Sequence, residues 1–220
     1  LRSLKTLRDL IVRPRTVFAA YAARDRVTYT PAIRLFLGLV GLQVLISAIW
    51  GGWTGMLRRQ IMDDPTSAEA FNQISNGRLE EFIQHYGDGT GVVQPILVAG
   101  FTALSVFVLG WLRRGLSWAS RLNIAMGVLT AGSVFGLLMT PLLVLPGLPQ
   151  LALISSLVVT VAYFLTFLRG APGVLADTTA GAWGKAAIYA TTLVLLVMVA
   201  GFFVAIVSAA YAIFRLNLSA

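Results

Sequence analysis

The chain has 220 residues, 57% of them hydrophobic and only 12% charged, with a mean hydropathy of +0.81. A soluble domain carries roughly 25% charged residues, so a single water-soluble core is excluded as a home for so many apolar side chains. The net charge of +8 gathers at helix ends and in connecting segments, which points to a membrane surface and not to nucleic acid, and the absence of cysteine excludes disulfides and thiolate metal sites.

Leu1, Leu4, Leu7 and Ile11 recur at helical spacing, with Arg2 and Lys5 on the other side and Arg8 on the flank. The charges interrupting this stretch exclude the apolar region of a signal peptide, and a start at Leu1 instead of Met allows an upstream segment. Pro14 breaks the segment and suits an early position in a second short helix, 15–24, whose Val17, Phe18 and Tyr21 can face one way. Two readings follow. Either these basic helices lie in the cytoplasmic interface and dock on anionic lipid or a partner, or they carry topology-setting charge and pack under a bundle. The docking reading names Arg2, Lys5, Arg8, Arg13, Arg15, Arg26 and Arg34.

The run Leu10-Ile11-Val12-Arg13-Pro14, followed by Tyr21, Arg26, Tyr29, Pro31 and Arg34, resembles the juxtamembrane signature of an uncharacterised family of bacterial multispan membrane proteins, distantly similar to the Yip-type five-span proteins. In that family a Leu-rich helix ends in Arg-Pro, and a Tyr–Gly–Arg–Tyr–Pro segment leads into the first span. Arg24 stands where the pattern has Gly. The zinc ribbon that members often carry cannot be transferred, because its cysteines are missing here. The resemblance implies a five-span layout in a bacterial inner membrane and brings no activity with it.

Roughly 20 apolar residues match the ~30 Å hydrocarbon core of a bilayer at 1.5 Å per residue. Five spans are expected, at about 32–57, 92–112, 122–145, 151–168 and 186–214, giving an all-α polytopic bundle behind a basic segment at 1–31. Thr30 and Pro31 are expected as the N-cap and first turn of the first span, and Gln43 as its buried polar group. An acidic loop, 58–91, follows. Pro65-Thr66-Ser67-Ala68-Glu69 reads there as a capping box, and Leu79, Phe82, Ile83 and Tyr86 read as the apolar face of a second short helix. His85, four residues after Glu81, gives too few ligands for a metal site.

Arg113 and Arg114 stop the second span, Pro95 and Pro141 fall near the ends of the second and third, and 146–150 closes a tight hairpin between the third and fourth. Gly132 and Gly136 in the third span, and Gly201, Ala205 and Ala209 in the fifth, are small-residue stripes for close helix packing, within the chain or against another subunit. Thirteen of the 17 Lys and Arg fall on the side of the N-terminus, which is therefore expected inside, with the C-terminus outside. Trp50, Trp53, Trp111, Trp118 and Trp183 fall near span ends, as interfacial anchors do.

No Asp, Glu, Lys or His falls in the middle of an expected span. That argues against a proton-coupled carrier, whose relay needs buried titratable groups, and against a membrane hydrolase, which needs a base for its nucleophile. The expectation is a non-enzymatic inner-membrane accessory, assembly or scaffold subunit with no catalytic, metal or cofactor residues. Its partners would be anionic lipids and other integral membrane proteins. The alternative is a small transporter or channel with a path lined by Gln43, Thr102, Ser105, Ser133 and Thr160. A membrane enzyme using residues upstream of Leu1, or supplied by a partner, is a third reading.

Overall fold

The computed structural model describes residues 2–25, 27–49, 52–62, 65–143 and 150–218. The chain is all-α, 86% helical, with no strand among the described residues. The first helices are α1 (Arg2–Val12), α2 (Pro14–Ala22), α3 (Ala32–Ile49), α4 (Gly52–Met62) and α5 (Pro65–Ile74). After these come α6 (Leu79–Ala103), α7 (Ser105–Leu112), α8 (Trp118–Leu143), α9 (Gln150–Gly170) and α10 (Thr179–Leu218). Among the described residues, four stretches are long and apolar enough to cross a membrane: Leu79–Leu112, Trp118–Met139, Leu153–Gly170 and Thr179–Leu218. This is a multi-pass membrane-embedded chain.

Among the described residues these are four, with α3 as a shorter apolar helix where the first of five spans was expected. The expected first span ran to residue 57, but α3 ends at Ile49 and its apolar part, Ala32–Ile46, is shorter than the other four. A new helix starts at Gly52, whose φ of +62° is left-handed and open to glycine without a Cβ penalty. Trp50 and Gly51 lie outside the described residues, as do Asp63, Asp64 and most of the expected 146–150 hairpin.

The second difference is larger. Residues 79–91, expected to lie in a loop, continue into the second span as one helix, so that α6 and α7 together make 34 residues. At 1.5 Å per residue that is about 51 Å, well beyond a ~30 Å hydrocarbon core. This helix holds Gly87, Gly89 and Gly91, and a glycine costs roughly 1 kcal/mol against Ala in a helix interior. Here they admit neighbours. A Cβ on Gly87 would overlap Thr54 of α4, its backbone included, and one on Gly89 would meet the Tyr211 ring of α10 at 3.0 Å. A tightened turn at Leu104, with its N–H on the Phe101 carbonyl (3.0 Å), joins α6 to α7. The fifth expected span also starts early: Thr178 accepts the Gly181 N–H at 3.1 Å and caps α10, a helix of 40 residues and about 60 Å.

The chain forms two compact units, Leu1–Gly41 with Phe101–Val197 and Leu42–Gly100 with Met198–Ala220. In the first, α1 and α2 pack against α8, and α2 also against α9. Leu10, Val17 and Phe18 are fully buried there with Ile124, Leu129, Phe167, Leu175 and Tyr189. The Phe167 and Tyr189 rings stack at 4.6 Å, and the Tyr189 hydroxyl meets that of Ser105 at 3.0 Å. The apolar faces of α1 and α2 are thus used in packing on the long helices, while Arg8, Arg13 and Arg15 are exposed.

In the second unit the buried cluster is Phe82, Ala212 and Leu216, flanked by Phe71 and Tyr86. Polar ties supplement it. The buried Thr90 hydroxyl donates to Ser208 Oγ at 3.0 Å, Arg78 donates to the Leu216 carbonyl at 2.6 Å, and Arg58 pairs with Glu80 at 2.6 Å.

Candidate functional site: a basic cleft on the N-terminal segment

The chain between α2 and α3 folds back because α2 ends in a Schellman turn. The Asp25 N–H reaches the Ala20 carbonyl (2.8 Å), the Arg24 N–H reaches that of Tyr21 (3.2 Å), and Arg24 takes the left-handed conformation with φ +59°. Glycine adopts that conformation freely, whereas a residue with a Cβ gives up about 1 kcal/mol. This is the position where the family pattern has Gly. Asp25 then closes the turn: its carboxylate accepts the N–H groups of Val27 (2.8 Å) and Thr28 (3.0 Å). Hydrogen bonds from the Thr28 side chain and from these backbone groups, with the Arg2 charge nearby, hold the Asp25 carboxyl below its usual range.

Two tyrosines fix the returning strand of chain. The Tyr21 hydroxyl donates to the Thr30 carbonyl at 2.8 Å, and that of Tyr29 donates to Asp9 at 3.1 Å. Burial, and secondarily the Tyr29 phenol, pushes Tyr21 well above the ordinary tyrosine value. Burial followed by the Asp9 contacts raises Tyr29. Thr30 was expected to cap α3 with its side chain. Its hydroxyl instead lies 3.3 Å from Ser3 Oγ and its N–H donates to Thr6 Oγ1 at 3.0 Å. The Ala32 N–H at the start of α3 goes to Asn123 Oδ1 of α8 at 3.1 Å. Ser117 caps α8 by accepting the Ser120 N–H (3.2 Å) and also accepts from Arg24 Nε (3.2 Å).

These contacts leave a cleft of ≈ 460 Å³, lined chiefly by Arg2, Arg24, Arg34, Asp25, Tyr29 and Asn123. Three arginines and one carboxylate, Asp25, line it, and of the three the Arg2 charge acts on that carboxylate. Arg2 donates to the Val27 carbonyl at 2.7 Å through one nitrogen, and Arg24 has given only its Nε–H to Ser117. Arg34, exposed in the first turn of α3, makes no side-chain hydrogen bond or ion pair among the described residues.

Of the basic residues named from sequence, Arg2 and Arg34 reach this cleft. Lys5 lies over the Tyr29 ring, 5.1 Å from its centroid. Arg8, Arg13 and Arg15 are exposed and outside the cleft, and Arg26 lies outside the described residues. Sequence reasoning missed Arg24, Asn123 and Ser120. For Arg24 the signal was its place in a glycine position; Asn123 had none, since its partner is 91 residues away.

Other cations turn out to be structural. Arg169 donates to the carbonyls of Ile11 (3.1 Å) and Val12 (2.7 Å), closing the end of α1. Lys185 Nζ donates to those of Leu112 and Leu175, both at 2.7 Å. Each satisfies carbonyls that a helix end or a turn leaves without partners.

Gly132 and Gly136 face α9, where a Cβ on Gly132 would overlap the Tyr163 ring and one on Gly136 would sit 3.6 Å from Val159. Within the chain, the stripe Gly201, Ala205 and Ala209 is not the buried face of α10. A Cβ on Gly201 would meet nothing within 4 Å outside its own helix backbone and Ala205 is exposed, whereas Ala200, Val204, Ser208 and Ala212 carry the buried face of α10. A shift of one residue rotates a helix by about 100°, and spacing alone does not choose the face. Gln43 is half-buried on α3. Thr160 bonds its own helix at Ser156, Ser105 bonds Tyr189, and none of the residues named for a transport path lines the cleft. No group of three metal-ligating side chains occurs among the described residues. No protein-family model, curated protein or solved structure matches the chain.

Proposed function

We propose that the protein is a non-enzymatic accessory or scaffold subunit of a bacterial inner membrane, with its N-terminus cytoplasmic, and that it seats on anionic lipid and on other integral membrane proteins. Membership of the multispan family that residues 10–34 resemble belongs to the same proposal. The observation that carries it is the rigid mounting of the basic front end. The apolar faces of α1 and α2 are used up inside the chain, with Leu10, Val17 and Phe18 at 0% exposure, while Arg8, Arg13 and Arg15 are exposed and their side chains make no hydrogen bond or ion pair among the described residues. Cations held in place on a buried scaffold bind an anionic surface with little ordering cost. The outward faces of the long helices support the membrane part of the reading: Leu195, Met198 and Phe202 on α10 are 56%, 66% and 65% exposed.

The test is purification of the full chain in a gentle detergent, with mass spectrometry of co-purifying proteins and lipids. A stoichiometric membrane-protein companion and retained anionic lipid are expected, both reduced in an Arg8→Glu, Arg13→Glu, Arg15→Glu variant. Purification with neither, or turnover of a substrate abolished by one point substitution, would overturn the reading.

A further inference from the structure

The cleft between the α2–α3 turn and the start of α8 has the makings of a specific site, beyond general attraction to a charged surface. We propose that it binds a phosphate group, as a lipid headgroup or as a free phosphate, through Arg2, Arg24 and Arg34; this rests on the reading of the basic front end as a membrane-facing surface.

Four observations converge. First, its volume of ≈ 460 Å³ falls within the range of small-ligand clefts. Second, the lining carries a net positive charge, three arginines against the one carboxylate of Asp25, whose oxygens already accept the Val27 and Thr28 N–H groups. The phenols are engaged as well, Tyr21 on a carbonyl and Tyr29 on Asp9. What remains for a ligand is guanidinium N–H, arriving from three separate elements, and several such forks match the divergent oxygens of a phosphate. Third, Arg24 is kept in a left-handed conformation that glycine would adopt freely, and a strained backbone bearing a charged side chain into a cleft is a mark of a functional position. Fourth, the lining takes in Pro31 and Arg34 at the start of α3 and Ala119, Ser120 and Asn123 in the first turns of α8, a span-length helix. The end of a span is the depth of lipid phosphates.

The experiment uses the full chain in a non-ionic detergent, titrated separately with inorganic phosphate, dihexanoyl phosphatidylglycerol and, as the zwitterionic control, dihexanoyl phosphatidylcholine. Binding is read by native mass spectrometry and by the shift in melting temperature. Phosphatidylglycerol is expected to bind roughly tenfold more tightly than phosphatidylcholine, with Arg34→Gln and Arg24→Gly each removing most of that difference and Arg8→Gln removing little. Inorganic phosphate binding with the same variant pattern, and as tightly, assigns the site to a free phosphate. Arg24→Gly separates binding from folding, since the glycine should melt no lower than the parent while losing the ligand. Absence of binding by both anions, or equal loss in Arg8→Gln and in the cleft variants, would overturn the site. Companion capture is scored separately, so an intact companion with no cleft binding would sink the cleft alone.

Discussion

The two units hold together by different means. The first buries large side chains against one another, Phe18, Phe167, Ile124 and Tyr189 among them, and its polar contacts close helix ends. The second has a small cluster around Phe82 and depends more on backbones brought close by glycine and on single polar ties such as Thr90 to Ser208. The first is therefore the unit able to hold a cleft to fixed dimensions. The difference also reveals how the chain spends its glycines: Gly87 admits a neighbouring backbone, while Gly132 admits a side chain.

The comparison breaks most sharply at the two phenylalanines. Phe18→Ala should cost about 3–5 kcal/mol, because the site is enclosed and collapses poorly. Phe82→Ala should cost less, about 2–3 kcal/mol, since the partly buried Phe71 and Tyr86 rings, 5.6 and 5.9 Å away, can move in. Unfolding titrations of both variants in mixed micelles check this, and an inverted order would mean that the Phe82 cluster is the firmer core.

A smaller effect is expected from adding one methyl group. Gly87→Ala meets Thr54 backbone, which cannot turn aside, and should cost about 2–3 kcal/mol; Gly132→Ala meets a tyrosine ring that can rotate, at about 1 kcal/mol. Melting curves of the pair decide it, and equal costs would show that the rigidity of the obstacle does not matter.

The smallest effect concerns pH. The Tyr21 phenol is raised in the folded chain, so the folded state holds its proton more tightly than the unfolded state does. Its contribution is complete below the ordinary tyrosine value of 10.0 and is lost as pH rises from there through the higher folded value. Stability should thus fall on the alkaline side of that value, and Tyr21→Phe should shallow the fall while giving up the bond to the Thr30 carbonyl. A melting temperature followed between neutral and strongly alkaline pH measures both.

The membrane class and the helical architecture were legible because apolar length and charge placement carry them directly. So was the break between α1 and α2, since Pro14 has no N–H to continue a helix. Helix ends were harder to read. The Gly87–Gly91 run looks like a loop until the neighbours that need it are known, and Thr30 looks like a cap although Asn123 takes that role. Half of the cleft could be read as charge, in Arg2 and Arg34. The rest is built by residues that meet across about 90 positions, and no local pattern encodes a meeting of that kind.

Arg169 closes α1 by holding the carbonyl of Val12, 157 residues earlier in the chain. At the roughly 5–20 residues per second of protein synthesis, that partner emerges on the order of ten to thirty seconds after α1 and α2. Until α8 and α9 follow, the greasy sides of both helices lack the partners that cover them in the finished bundle. The front end accordingly has two lives, first as a nascent segment with its apolar sides uncovered, then as the clasp that shuts the finished bundle.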